Sequence, residues 1–317
     1  MTTGTTTTTD RRQPLPTSAA AAPTAFPCDL CGATARQVIA PYTACHRLVR
    51  CRVCGLIFVD PPLATDTATY DQRYFFSTAP DQFGYADYHS CAAAPVYSAM
   101  LDAVEQYGIP HTGLLDIGCA AGHLLRVARQ RDWTDLNGTD LSSCFAAQLA
   151  VEEFSFSCGD FCSLSFSRTF NAITAIDVLE HCRSPRLFLQ HCRSILNPDG
   201  ILAMIVPDDF ANLPARFTPP DLALAKLPEH LFYFSPTTLF RLVTICGFAV
   251  LDFCTYEVKF DKFVPALRRG YSPAQLRARQ QLFYQRHPSV ARVLESLVRQ
   301  TNTGGTMRLI ARAATQP

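Results

Sequence analysis

Two cysteine pairs stand near the start of the chain, Cys28-Asp-Leu-Cys31-Gly32 and Cys51-Arg-Val-Cys54-Gly55, with nineteen residues between them. Two residues between thiols let both sulfurs reach one ion, and two such pairs at this separation match a four-thiolate zinc site. The glycine after each pair supplies the positive φ that a tight turn around a metal needs. Four thiolates close the coordination shell and leave no position for a substrate. Cys28, Cys31, Cys51 and Cys54 are therefore expected to hold a structural Zn2+ that serves folding. Cys45-His46, between the pairs, is a less favoured source of a substitute ligand.

A second set of chemistry-bearing residues begins at Leu114-Leu-Asp116-Ile-Gly118-Cys119-Ala-Ala-Gly122. Gly118 and Gly122 let the backbone pass close to a ligand, and the helix that follows offers free N–H groups. The pattern is not the G-x-G-x-x-G of a dinucleotide site. Asp116 would repel a pyrophosphate but suits a cationic amino-acid ligand. Twenty residues on, Gly138-Thr-Asp140-Leu141-Ser places a carboxylate where it can accept both hydroxyls of a ribose. Cys158-Gly-Asp160-Phe161 offers an acceptor for an adenine amino group and a ring for its face, and Ala175-Ile-Asp177-Val-Leu-Glu180-His181 completes the series. Any one of these acids could simply cap a helix, most readily Asp160. Their regular recurrence is what points to a ligand.

The elements that must position these residues are strand-like runs at Leu114–Ile117, Leu136–Thr139, Phe154–Ser157, Ala172–Ile176, Ile201–Val206, Phe248–Thr255 and Met307–Ala311. Helical patterns such as His123–Arg131 and Leu187–Leu196 alternate with them. This order predicts an α/β fold, a doubly wound, mostly parallel seven-stranded sheet of Rossmann-like type, with a small zinc knuckle module on its N-terminal side. The acids then all fall at C-terminal strand ends, where ligands bind in such sheets. The expected divisions are a disordered tail (1–26), a four-cysteine module (27–62), a helical connector (63–111) and the ligand-binding domain (112–317). A basic helical insertion at 258–300 carries nine Lys/Arg against Asp261 and Glu295, a net +7.

Composition narrows the classes. Hydrophobic residues make up 48% and charged residues 17% of 317, with a net charge of +1. That balance is ordinary for a globular protein and argues against a dedicated nucleic-acid binder or a membrane-surface protein. No apolar run nears the ~20 residues of a membrane span. The Thr/Ala/Pro-rich start lacks the apolar core of a signal peptide, so a cytoplasmic location with reduced cysteines is expected.

Together these motifs resemble the class I S-adenosylmethionine-dependent methyltransferases, and within them a bacterial subgroup with an N-terminal zinc-ribbon segment. The resemblance covers about Pro27 to Phe248. It rests on the second knuckle running into Leu56-Ile-Phe-Val-Asp-Pro-Pro62, on Tyr70-Asp-Gln-Arg-Tyr74-Phe75, on Asp116-Ile-Gly-Cys119, on Asp177-Val-Leu-Glu-His181, and on Glu229-His-Leu-Phe-Tyr-Phe-Ser-Pro236. The resemblance implies S-adenosylmethionine bound by Asp116, Gly118, Gly122 and Asp140, and Cys119, Leu141, Asp160, Phe161 and Asp177 complete the expected cofactor-binding set. Ala120 departs from the family, where glycine is common, and its methyl would crowd the loop. The resemblance also places the Glu229–Pro236 segment beside the transferred methyl, making His230 and His181 the candidate catalytic bases. Ser235-Pro236 reads equally as a helix start. The expected function is methyl transfer to a small-molecule acceptor, a sugar or other biosynthetic intermediate, with the basic segment suggesting an anionic one. The rivals are an RNA or protein methyltransferase that uses the zinc module for recognition, and a catalytically silent cofactor-binding protein. Near-neutral charge counts against RNA, and the intact acids count against the silent protein.

Overall fold

The computed structural model describes residues 26–63, 70–76, 94–217, 225–258 and 273–314. Nearly all of the expected tail, parts of the connector and the segment 259–272 of the basic insertion lie outside the described residues. The elements in chain order are β1 (Arg36–Pro41), β2 (Arg47–Cys51), β3 (Ile57–Asp60), α1 (Gln72–Phe75), α2 (Ala94–Glu105), β4 (Thr112–Ile117), α3 (His123–Gln130), β5 (Thr134–Asp140), α4 (Ala146–Val151), β6 (Ser155–Cys158), β7 (Phe170–Ile176), α5 (Pro185–Ile195), β8 (Leu196–Pro207), β9 (Phe232–Tyr233), α6 (Pro236–Ile245), β10 (Phe248–Tyr256), α7 (Pro273–Arg286), α8 (Pro288–Thr301) and β11 (Thr306–Ala313).

Seven strands form one sheet in the order β10-β11-β8-β7-β4-β5-β6. The five from β6 to β8 run parallel, and β11 inserts antiparallel between β8 and β10. Each expected strand is present. The central strands are apolar and buried along nearly their whole length, as parallel strands covered on both faces must be. The chain moves outward from β4 in both directions, so the strand order reverses there and opens a crevice at the C-terminal edge. The Asn197–Gly200 turn is absorbed into the start of β8: register passes from Phe170↔Leu196 to Ala172↔Ile201, and the intervening residues loop out.

Helix ends follow local sequence. Ser184 caps α5 by accepting from the Leu187 amide, with Pro185 in the first turn, and Phe188, Leu189, Cys192 and Ile195 form its buried stripe. Ser235 and Thr238 form a reciprocal capping box at α6. Gly122 precedes α3 at φ 76, and a Cβ there would sit 2.5 Å from Leu149 Cδ2. Only glycine fits that position without displacing the packed leucine.

The cysteine-bearing strands make a second sheet, β1-β2-β3-β9, whose last strand comes from the C-terminal half of the chain. Its side chains join the main core: Leu30, Val49, Leu56 and Phe58 cluster with Phe188, Leu239 and Met307. Polar contacts fix the angle. Asp29 accepts from the Ser184 hydroxyl (2.8 Å) and from the Arg186 amide (2.7 Å), so a carboxylate stands on the positive end of α5. The Arg186 guanidinium returns two bonds, to the carbonyls of Asp29 and Leu30 (2.8 and 2.6 Å). Asp29→Ala should therefore destabilise the chain by about 1–2 kcal/mol, the range for lost helix caps. Urea denaturation of parent and variant checks this, and an unchanged midpoint would mean that Asp29 does not hold the two sheets together.

Candidate functional site

At the C-terminal ends of β4, β5, β6 and β7 lies a cavity of about 970 Å³. Its floor is the turn after β4. The amides of Gly118 and Cys119 donate to the Thr139 carbonyl (2.7 and 3.1 Å), which ties the turn to the end of β5. Gly118 has φ 71, and a Cβ there would meet Val178 Cγ2 at 2.5 Å. Ala120, where the family favours glycine, has φ 43 in the left-handed region. Its conformation is the one that glycine adopts without cost.

The acids expected to hold the ligand are here, with distinct environments. Asp140 accepts from the amides of Ala120 (2.9 Å, Oδ2) and Ser142 (2.8 Å, Oδ1). Each oxygen keeps a second lone-pair direction for a ligand hydroxyl. Burial raises Asp140 above the usual carboxylate range, against those backbone bonds. Asp116 is buried, accepts from the Thr174 hydroxyl (2.7 Å), and is pushed up to about 7 by burial, with the Asp140 charge adding to the effect. Leu141, Cys119 and Asp177 line the cavity as well, and Asp177 adopts φ 52 at the end of β7. Asp160 lines it too, but its carboxylate accepts from the Cys162 amide (3.1 Å) and caps a 3-10 turn. Phe161 reaches the wall while packing against Phe188 and His191 in the core. Gly122 stands one turn back and shapes the loop from behind.

The two candidate bases are stacked in depth. His181 lines the cavity, and His230, 4% exposed, packs behind it with ring centroids 4.8 Å apart. Burial drives His181 down to about 3, helped by its neighbour His230. Burial also lowers His230, against the nearby Asp209 carboxylate. A ring driven as far down as His181 is stays neutral at physiological pH and is a weak proton acceptor. His181 Nδ1 bonds the Glu229 carbonyl (2.8 Å) and the Tyr70 hydroxyl (3.1 Å).

Several wall residues escaped the motif reading: Tyr97, Arg183, Lys226, Tyr256, Glu257 and Thr306. Tyr256 and Thr306 belong to the antiparallel strands β10 and β11, and Glu257 directly follows β10; no spacing rule links these elements to the glycine turn. Tyr70 and Tyr74, both within the Tyr70–Phe75 motif, line the cavity as well.

The four cysteines converge as their spacing predicted. All four sulfurs lie within 4.8 Å of one another, and Cys28–Cys54 and Cys31–Cys51 are each 3.5 Å apart. A tetrahedron with Zn–S bonds of ~2.3 Å has edges of about 3.8 Å, so the donor set fits a zinc ion with little adjustment.

Comparison with known proteins agrees with this geometry. A family model described as a methyltransferase domain matches residues 93–252, half of the chain. Two curated relatives, both named ubiquinone biosynthesis O-methyltransferase, are 35% identical over 96 residues (Nitrobacter winogradskyi) and 29% identical over 116 residues (Actinobacillus pleuropneumoniae). These matches cover 28% and 32% of this chain and 36% and 49% of the relatives' own lengths. Among solved structures, a Galdieria sulphuraria protein provisionally described as a sarcosine dimethylglycine methyltransferase superposes with TM-score 0.51 at 15% identity, covering 79% of this chain and 98% of that one. That likeness is one of fold. By the extent of the family match and the sheet that carries it, this chain belongs to the methyltransferase-domain family.

Proposed function

We propose that the chain transfers a methyl group from S-adenosylmethionine to a hydroxyl-bearing small molecule. The observation that carries this reading is the single cavity in which Asp116, the glycine turn and Asp140 meet an aromatic wall of Tyr70, Tyr74, Phe75 and Tyr97. Its volume of about 970 Å³ is at the upper end for small-molecule sites, which leaves room for cofactor and acceptor side by side. The names of the two curated relatives support an oxygen acceptor. Arg183 gives the wall a cation suited to an anionic acceptor.

The cofactor would supply an electrophilic methyl on a sulfonium, and the chain's part is alignment. Asp140 is set to receive the ribose diol, and Asp116 the positive amino-acid end. The aromatic wall excludes water and orients the acceptor. Alignment of this kind lowers a barrier by ~7–11 kcal/mol, more than the ~3–5 kcal/mol of a general base. The low proton affinity of His181 fits that division of labour. The four cysteines are proposed to hold a structural Zn2+.

Three measurements test this reading. Asp140→Ala should weaken cofactor binding at least tenfold in titration calorimetry, since each charge-assisted bond contributes ~1.5–3 kcal/mol. Unchanged affinity would remove Asp140 from the site. The second is a pH profile. Burial pushes Asp116 up to about 7 against ~3.9 in an unfolded chain, so its contribution to stability is fully present below about 4 and is lost as pH rises through about 7. A cationic ligand favours the carboxylate, so binding should release a proton near pH 7, and affinity should fall on acidification below it. Calorimetry in two buffers of different ionisation enthalpy would detect that proton, and Asp116→Asn should abolish its release. The third concerns metal: purified protein should carry zinc on the cysteines, and Cys28→Ser with Cys51→Ser should lose it. Elemental analysis that finds the same zinc content in the double variant would refute a cysteine-bound ion.

A further inference from the structure

We propose that Glu180, His181 and His230 form a second metal site, for a divalent transition-metal ion, set into the wall at the acceptor end of the cavity. The three side chains come from two segments far apart in sequence and present one donor atom each, all within 4.8 Å of one another. Glu180 Oε1 lies 3.8 Å from His181 Nε2 and 3.9 Å from His230 Nε2. Donors that share one ion through bonds of ~2.1 Å stand about 3.0–3.6 Å apart, so each Glu–His gap needs to contract by a few tenths of an ångström, and the two imidazoles, within 4.8 Å of each other, close on the ion by side-chain rotation.

The outer side of each ring is what decides. His181 Nδ1 is engaged by the Glu229 carbonyl at 2.8 Å, and His230 Nδ1 faces Asp209 Oδ2 at 3.3 Å. The carbonyl on His181 Nδ1 fixes the N–H there and leaves its Nε2 lone pair pointing inward, and the Asp209 charge, near His230 Nδ1 but out of hydrogen-bond alignment, favours the same tautomer for that ring, which is how metal-binding histidines are oriented. Two such lone pairs then converge on a carboxylate that is 1% exposed and has no hydrogen-bond partner on either oxygen. Acceptors facing acceptors in a buried place repel unless a cation lies between them.

Charge balance points the same way. Asp177, Asp209 and Glu229 surround the cluster together with Glu180, and Lys226 is the cation set against them. Two imidazoles and one carboxylate select the zinc, manganese, iron and cobalt group over calcium or copper(I). His181 lines the cavity, so the open coordination positions of a three-ligand site face it. An acceptor oxygen taken there would rest on the proposed methyl transfer, whereas the binding of the ion does not.

Manganese(II) is the probe of choice because it avoids thiolates and leaves the cysteine cluster undisturbed. Mn2+ is titrated into the full chain, and the free ion is followed by electron paramagnetic resonance. One Mn2+ should bind per parent chain. Glu180→Gln and His230→Gln should each bind at least tenfold more weakly, and Asp209→Asn roughly tenfold more weakly through loss of ring orientation. Circular dichroism and thermal melting establish which variants remain folded, and His181→Gln replaces any that does not. The proposal is overturned if the parent binds no Mn2+, in which case the gap holds a proton on Glu180. It is equally overturned if folded variants bind Mn2+ as tightly as the parent. S-adenosylmethionine affinity measured on the same samples separates this result from the proposed function, since metal can bind whether or not the cofactor does.

Discussion

A carboxylate taken out of water must be bonded, paired or protonated, and this fold places several of them at one edge of one sheet. Asp116, Asp140 and Glu180 are all raised above the usual carboxylate range by burial, and Asp208 is pushed up to about 7 for the same reason. Each finds a different partial answer. Asp140 takes two backbone amides, Asp116 a threonine hydroxyl, and Asp208 the Ala211 amide (2.7 Å). Glu180 takes no such bond. An edge so short of positive charge is poised for cationic ligands, and that shortage links the proposed cofactor at one end of the cavity to the proposed metal ion at the other.

The same edge is held in shape by the cysteine-bearing sheet. The Leu231 amide donates to the Glu180 carbonyl (2.8 Å), and the Leu231 carbonyl accepts from the Val59 amide (2.9 Å). One residue thus joins the turn after β7 to β3, and it directly follows His230. The pairing of β3 with β9 continues this bridge through Ile57↔Tyr233 and Phe58↔Phe232. With Leu30 and Leu56 sharing a core with Phe188, the knuckles brace the cavity wall from behind. A surface arm for recognising a large substrate would instead present its knuckles outward, away from that core.

How far the sequence disclosed this follows from the range of each interaction. The strands were legible because apolar runs and turn residues are local signals, and the cysteine cluster because ligand spacing is a local property of two short loops. Asp116 and Asp140 stand at the C-terminal ends of β4 and β5, so strand direction fixes where each emerges, and both line the cavity. At Ala120, where glycine is common in the family, the backbone takes a left-handed φ of 43, again a local matter. Lys226, Tyr256, Glu257 and Thr306 reach the cavity only through tertiary packing, and nothing in their neighbours' spacing says so. Depth was equally hidden. His181 and His230 read as equivalent rings at neighbouring strand ends, whereas packing puts one on the wall and the other behind it.

That difference in depth recasts the role of the histidines. A catalytic base near neutrality needs a ring that can take a proton and release it, hence some solvent or a compensating charge. His181 has its Nδ1 fixed outward and its Nε2 turned to Glu180 and His230, in surroundings that drive its protonation down to about pH 3. Such an arrangement is costly to protonate but well suited to donating a lone pair to a cation. The burial that disqualifies the ring as a base is the burial that would let it serve as a ligand.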